Sequence, residues 1–305
     1  MNSEDLEIGT RCQNISIGAA RAGAFTLVEL LVVISIISML LAILMPALSG
    51  VKRQATALLG ARNQREVTNG VTYYATDNDD RFPPSVATVG VEDSWTWSEP
   101  TQLTGNKSRT PQVHRSMSAY LHSYLADAKT ISCPAVPRKY TYLQEAWDAG
   151  DNWDNPDTEP DSDPVGGTYC FYWNYLGYLG GSRPVFQGPR DLAAGGAQSQ
   201  LLLSDSLVYG SWRRPDSFIS CERLSGGNMI EEHDLDPALW MTAGDPNTAK
   251  PPIKLRAAYL DGHVETYTPV DTVPMRIPMT PAGVPPFPDG VGSKGIFYIP
   301  RNAVR

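Results

Sequence analysis

The chain lacks the short motifs that mark most enzymes and nucleic-acid-binding proteins. Its 305 residues contain no C-x-x-C pair, and no glycine-rich segment lies in the strand-loop-helix context that phosphate binding requires. Lysine and arginine are scattered and the net charge is −8, which argues against a nucleic-acid surface. Only four histidines occur, and no serine lies in a nucleophile elbow. The sequence therefore predicts no catalytic residue, no zinc site and no nucleic-acid partner.

Cysteine is also scarce. The four cysteines are Cys12, Cys133, Cys170 and Cys221. Loss of the first residues would leave three, so one disulfide and one free thiol are then expected, with a connectivity that the sequence does not reveal.

Charge is nearly absent between Phe25 and Met45, where Glu29 is the one charged residue. About 20 helical residues span roughly 30 Å, the thickness of the hydrocarbon layer of a bilayer. A core helix is seldom apolar on every face, and a secretory signal has a shorter apolar stretch with small residues after it. Here the small residues, 22–24, come before the run. The pattern predicts a hydrophilic leader at 1–24 and a transmembrane helix at 25–45.

A second helical segment is predicted at residues 46–78. Pro46 removes one backbone hydrogen bond and should kink the helix. Three glycines at 50, 60 and 70 either weaken the segment or are simply tolerated, and both interpretations stay open. Turn-forming residues 77–80 and Pro83–Pro84 should end the helix. Apolar residues at helical spacing form a stripe available to a sheet, namely Val51, Ala55, Leu58, Leu59, Val67, Val71 and Tyr74.

Residues 79–305 are predicted to form a β-rich globular head. Asp261-Gly262 favours a type I′ hairpin turn, and a short helix is expected at Arg115–Ala126. The fold class is therefore α+β, with one long N-terminal helix packed on an antiparallel sheet. The candidate strands are Tyr169–Tyr175, Gln200–Asp205, Ala257–Leu260, Val264–Tyr267 and Gly295–Ile299.

The residues A-F-T-L-V-E-L-L-V-V-I at the start of the run resemble the signal of type IV prepilins and type II secretion pseudopilins. The resemblance implies cleavage of the Ala24–Phe25 bond by a prepilin peptidase and N-methylation of Phe25. Glu29 becomes the fifth mature residue, and Pro46 matches the kink proline of the family. The residue before the cut is Ala24, where the family usually has Gly.

The same resemblance implies a single-pass protein of the bacterial inner membrane, its N-terminus cytoplasmic before processing and its head periplasmic or extracellular. Its partners would be the peptidase, membrane lipid and other pilin or pseudopilin subunits. In a filament, Glu29 would neutralise the methylated amine of a neighbouring Phe25. Two alternatives stay open: Glu29 merely snorkels to the interface, or the signal only anchors a monomeric binding module.

Two weaker patterns concern the head. The acidic, proline-rich segment Asp148–Pro164 is predicted to be a loop, and Asp151, Asp154 and Asp157 could offer oxygens to Ca²⁺ without matching an EF-hand. No other cofactor is expected. The segments Tyr73–Pro84, Ser132–Pro134 and Tyr259–Glu265 resemble a bacterial prepilin-like group with a C-terminal His-x₉-Asp-Gly motif, although Pro251 stands where that motif has His. The aromatic run Cys170–Tyr178 is interpreted as a buried strand and turn in preference to a sugar-binding surface.

Overall fold

The computed structural model describes residues 26–87, 99–104, 114, 116–134, 143–153, 166–179, 185–209, 254–276 and 296–304. The helices are α1 (Leu27–Asp77), α2 (Ser118–Leu121) and α3 (Leu143–Ala149), with 3-10 turns at Gly150–Asn152, Pro269–Asp271 and Arg301–Ala303. The strands are β1 (Tyr169–Phe171), β2 (Leu176–Leu179), β3 (Val185–Gln187), β4 (Leu201–Asp205), β5 (Val208–Tyr209), β6 (Leu255–Tyr259), β7 (Val264–Tyr267), β8 (Thr272–Arg276) and β9 (Ile296–Pro300).

The chain divides into two compact units, Met1–Gly50 and Val51–Arg305. In the first unit, residues 27–50 are helical, and the side chains of residues 26–49 are exposed. The second unit contains the rest of α1 and all the described strands. The α+β class is confirmed, with one long helix and antiparallel sheets.

The described strands of the second unit form two antiparallel sheets. One has the order β1-β4-β6-β7, and the other has the order β3-β2-β8-β9-β5. Strands β4 and β6 are buried at every position. A strand that is covered on both faces has no solvent-facing side, which explains why the runs L-L-L-S-D and L-R-A-A-Y show no clean alternation of apolar and polar residues.

The four-stranded sheet lies between two hydrophobic clusters. Adjacent residues of β6, such as Ala257 and Ala258, belong to different clusters because successive side chains point to opposite faces. One cluster joins this sheet to residues of β8 and β9 in the five-stranded sheet, such as Met275 and Phe297. The other joins it to α1, α2 and α3. The second unit is thus built of a helical layer and two sheets.

The C-terminal part of α1 packs on the head. Its buried residues are Gly60, Gln64, Val67, Thr68, Gly70, Val71 and Ala75. The predicted stripe is therefore wrong before residue 60, since Val51 is 62% exposed and Leu58 is 72% exposed. The stripe also missed two polar residues, Gln64 and Thr68, whose side chains are buried and hydrogen-bonded inside the unit.

The glycines of α1 differ in their surroundings. A Cβ at Gly70 would lie 2.6 Å from Cγ of Leu125, so glycine is required for the close approach of the segment after α2. A Cβ at Gly50 would meet nothing within 4 Å. The helix runs through Pro46 and ends at Asp77, where Asp79 and Asp80 take positive φ angles of 52° and 61°. The kink at Pro46 stays a prediction.

The hairpin predicted near residue 261 is present, but its turn type was wrong. Strands β6 and β7 pair with Ala258 opposite Val264. The Gly262 N–H donates to the Tyr259 carbonyl at 2.9 Å, so Leu260 and Asp261 occupy the centre of the turn. Of the turn residues only Gly262 has positive φ, at 83°, whereas a type I′ turn needs it at both central positions.

Three other expectations need correction. The helix predicted over Arg115–Ala126 is confined to α2, and the strand predicted over Tyr169–Tyr175 ends at Phe171, with a turn before β2. Asn174 has a φ of 51° in that turn, which breaks the extended backbone. The acidic segment is not all loop, because its first residues lie in α3 and in the turn Gly150–Asn152. Strands β4 and β9 each lie within one residue of the predicted bounds.

Candidate functional site: the start of helix α1

Helix α1 begins with a reciprocal capping arrangement between Thr26 and Glu29. The Thr26 backbone N–H and hydroxyl donate to Oε2 of Glu29 at 2.8 and 2.7 Å, while the Glu29 N–H donates to the Thr26 hydroxyl oxygen at 3.2 Å. This is a capping box, in which the N-cap threonine and the glutamate three residues later satisfy each other's backbone donors. Glu29 is also the acidic residue of the first helical turn, where the helix dipole favours negative charge.

The sequence carries a second signal for this contact besides the charge of Glu29. T-L-V-E fits the pattern Ser/Thr-x-x-Glu before an apolar run. Glu29 thus has a partner within its own chain, and its pairing with the amine of a neighbouring subunit stays a prediction. Phe25 and Ala24, the predicted cleavage pair, lie outside the described residues. The carboxylate is held within four residues of the bond where cleavage is predicted.

The helix that follows is apolar and unpacked. Helix α1 is long and apolar enough to cross a membrane, and its most apolar stretch of 18 residues contains no buried residue. Side chains well inside the run remain exposed, among them Ile34 at 53%, Leu40 at 62% and Leu44 at 59%. Ser35 interrupts the run with a hydroxyl, which donates to the Leu31 carbonyl at 2.7 Å and so has a partner in its own helix. The segment presents apolar groups on every face and few unsatisfied polar ones, as a bilayer demands.

Residues 20–45 match the family model of the prokaryotic N-terminal methylation motif. The start of the chain therefore carries a prepilin-type signal. Neither the curated proteins nor the solved structures contain a match to the chain. The matched residues end before the head, so the resemblance of the head to the prepilin-like group with the Asp-Gly motif stays a prediction.

The motif and the helix together support a coarse description. A methylation motif on a long apolar helix supports a processed, pilin-like subunit, and it is compatible with a single membrane anchor. Such a motif implies processing by a prepilin peptidase and assembly with pilin subunits in general. It favours a structural subunit over an enzyme.

The predicted calcium residues are only partly described. Asp151 accepts a hydrogen bond from the Ser116 N–H at 2.9 Å and pairs with Nδ1 of His114. Asp154 and Asp157 lie outside the described residues. Within the described ranges no group of three histidine, cysteine or acidic side chains could hold a metal ion. Calcium binding in this segment stays a prediction.

The Asp261-Gly262-His263 sequence has a structural role in the hairpin. Oδ1 of Asp261 accepts the His263 N–H at 3.1 Å and contacts Nδ1 of the same histidine at 2.5 Å. The His263 ring stacks on Tyr259, with centroids 4.5 Å apart. The His263 N–H lowers the pKa of Asp261, which keeps the carboxylate charged as an acceptor. These contacts stabilise the turn and leave no unexplained group there.

The aromatic side chains of residues 171–175 are part of the core, which confirms the structural interpretation for this part of the run. Tyr172, Trp173 and Tyr175 are at most 1% exposed. Cys170 is buried among them without a disulfide, and burial raises the pKa of its thiol to about 12. Cys133 is disulfide-bonded, with a partner outside the described residues. These described aromatic side chains are thus packed in the core, and none of them forms an exposed platform for a sugar.

Proposed function

We propose that this chain is a prepilin-like structural subunit that assembles into a type II secretion pseudopilus or a type IV pilus-like filament. A prepilin peptidase cuts the Ala24–Phe25 bond and Phe25 is methylated. Residues 25–45 anchor the product in the bacterial inner membrane, with the head on the periplasmic or extracellular side. The filament then forms through α1.

The proposal depends above all on Glu29 at the start of an apolar helix. A carboxylate in this position costs at least a few kcal/mol in a membrane unless it has a partner. The capping box supplies part of the compensation through Thr26. Both hydrogen bonds from Thr26 go to Oε2, so among the described residues the second oxygen is left for the positive amine of a neighbouring Phe25. Methylation keeps that charge, so the pair can set the register between subunits.

A second feature supports assembly over a solitary anchor. The apolar surface of α1 continues after the predicted membrane segment, with Val51 and Leu58 exposed and Ala55 between them. Spacings of four and three residues place these side chains on one helix face. A second helix would cover this face outside the lipid.

Processing is tested by mass spectrometry of the protein extracted from membranes. The expected N-terminal peptide begins at Phe25 and carries one methyl group. A protein that keeps residues 1–24, or one that has lost residues 25–45, would contradict the proposal. The variant Phe25→Ala changes the residue at the mature N-terminus, and its N-terminal peptide is compared with that of the wild-type protein.

Assembly is tested by placing a photo-crosslinking amino acid at Leu58. Illumination of cells is expected to link two copies of the chain, and the product should disappear when Glu29→Ala is added. A processed protein that gives no self-crosslink would favour the anchored monomeric module instead.

A further inference from the structure

Basic residues are concentrated in one part of α1, although the protein as a whole is acidic. Residues 30–65 contain Lys52, Arg53, Arg62 and Arg65 and no aspartate or glutamate, whereas the net charge of the chain is −8. The first two follow the apolar run by only a few residues. This part of α1 therefore carries a positive charge that the rest of the chain does not share.

Three of these side chains, Lys52, Arg53 and Arg65, are exposed and have no carboxylate partner in the described part of the chain, and the first two lie next to the apolar run. Lys52 and Arg53 are both exposed, and the one ion pair along this stretch joins Arg62 to Glu66 at 2.7 Å. An exposed pair of cations next to an apolar segment attracts anionic groups from the surroundings. The positive charge of Arg62, by contrast, is already balanced within the helix.

The position of Lys52 and Arg53 along the helix matches the depth of lipid headgroups. Lys52 comes seven residues after Met45, which corresponds to a rise of about 10 Å. Helical side chains tilt toward the N-terminus, so these two side chains point back toward the apolar run. Long basic side chains can reach a membrane interface from such a position. The headgroup layer on each side of a bilayer is roughly 5–8 Å thick.

We propose that Lys52 and Arg53 bind the phosphate groups of anionic phospholipids where α1 leaves the bilayer. The inference depends on the membrane anchoring in the proposed function but not on filament assembly. Binding at this point fixes the depth of the helix and places the exposed apolar face at residues 51–58 just above the headgroups. Anionic lipid thereby holds the subunit at the height from which it can pair with another copy.

The test uses the full chain reconstituted into vesicles of phosphatidylcholine mixed with phosphatidylglycerol. The protein is extracted in mild detergent, and the two lipids that stay bound are quantified by mass spectrometry. The wild-type protein is expected to retain phosphatidylglycerol in excess of its share in the vesicle. Lys52→Gln and Arg53→Gln should each lower this enrichment about fivefold, and high salt should weaken it.

Arg62→Gln is the matched control, because it removes an equal charge that is paired with Glu66. It lies ten residues beyond Lys52, about 15 Å along the helix, and should leave the enrichment unchanged. Equal loss in all three variants, or no enrichment in the wild type, would overturn the proposal. A variant that combines Lys52→Gln with Arg53→Gln gives a further test. If it changes self-association of the chain but not the bound lipid, the two basic side chains bind the acidic head of another copy, and the proposal is overturned.

Retention of the protein by the vesicles is measured in the same experiment. A chain that fails to stay with vesicles of any composition contradicts the membrane anchoring itself. A chain that is retained but shows no preference for phosphatidylglycerol contradicts only the headgroup site. Inorganic phosphate that binds as well in lipid-free detergent would assign the site to a free anion and also overturn the proposal.

Discussion

Gln64 of α1 donates a hydrogen bond of 2.9 Å from Nε2 to Oδ1 of Asp205, at the end of β4. Both side chains are fully buried. The other carboxylate oxygen of Asp205 accepts the Arg256 backbone N–H of β6, also at 2.9 Å. One buried carboxylate therefore ties the long helix to the two central strands of the four-stranded sheet, and it fixes the rotation of α1 about its axis.

Replacement of Gln64 is expected to destabilise the head. Gln64→Met keeps the volume but leaves the buried Asp205 carboxylate without one of its donors, which should lower the free energy of unfolding by about 1.5–3 kcal/mol. Urea unfolding of the full chain in detergent, followed by tryptophan fluorescence, measures the change. Gln54→Met is the control, because Gln54 is exposed on the same helix and should change the stability by less than about 0.5 kcal/mol. Equal effects of the two variants would show that the buried hydrogen bond contributes nothing.

Alanine should have opposite effects at two glycines of α1. Gly70→Ala places a methyl group 2.6 Å from Cγ of Leu125, and such overpacking should cost about 1–3 kcal/mol. Gly50→Ala meets no atom within 4 Å and should stabilise the helix by up to about 1 kcal/mol. Thermal unfolding of both variants, monitored by circular dichroism, shows whether each substitution raises or lowers the stability. A stabilising Gly70→Ala would show that Leu125 moves aside without cost.

Variants of the capping box can separate its role from that of the pairing proposed for Glu29. Thr26→Ala removes the cap, worth about 1 kcal/mol, but keeps the carboxylate. Glu29→Ala removes both. We expect both proteins to be cut at Phe25, Thr26→Ala to form filaments at reduced yield, and Glu29→Ala to form none. Filaments are counted by electron microscopy after the processed chain is quantified. Identical filament yields from the two variants would show that Glu29 acts only by capping the helix.

The buried thiol of Cys170 should make stability depend on alkaline pH. Its pKa is raised from 9.0 to about 12 by burial, so the folded protein keeps the thiol neutral where the unfolded chain ionises. The stabilisation is fully present below about pH 9 and is lost as the pH rises toward 12. Cys170→Ala should flatten the fall in unfolding free energy just above pH 9, before the tyrosines begin to ionise. Curves of equal slope for the two proteins would exclude this linkage.

The pairing of strands in the head could be predicted only partly from the sequence. The hairpin at β6 and β7 was found because its turn residues and its strands are neighbours in the chain. Strands β2 and β8 were missed because each pairs with a distant partner, with Tyr178 opposite Arg276. Such short strands carry no pattern of their own and are stabilised by the sheet they join.

The aromatic core was anticipated in kind but not in arrangement. Tyr172 and Tyr175 pack with ring centroids 6.1 Å apart, in an edge-to-face contact that requires the turn at Asn174 between them. A single strand through these residues would have placed the rings differently. The composition of the segment indicated burial, while the positive φ of Asn174 decided the geometry.

Local sequence is enough to specify the start of α1. The hydrogen bonds of a helix join residues four apart, and the capping box joins residues three apart, so the apolar run and T-L-V-E suffice to specify an exposed helix with a capped carboxylate. Which face of α1 the head covers follows, by contrast, from contacts between residues far apart in the chain. Gln64 and Asp205 are 141 residues apart, and no local pattern indicates that a polar residue of the helix will meet a buried carboxylate. The buried carboxylate of Asp205 has lost its contact with water, and only hydrogen bonds made inside the folded head compensate for that loss.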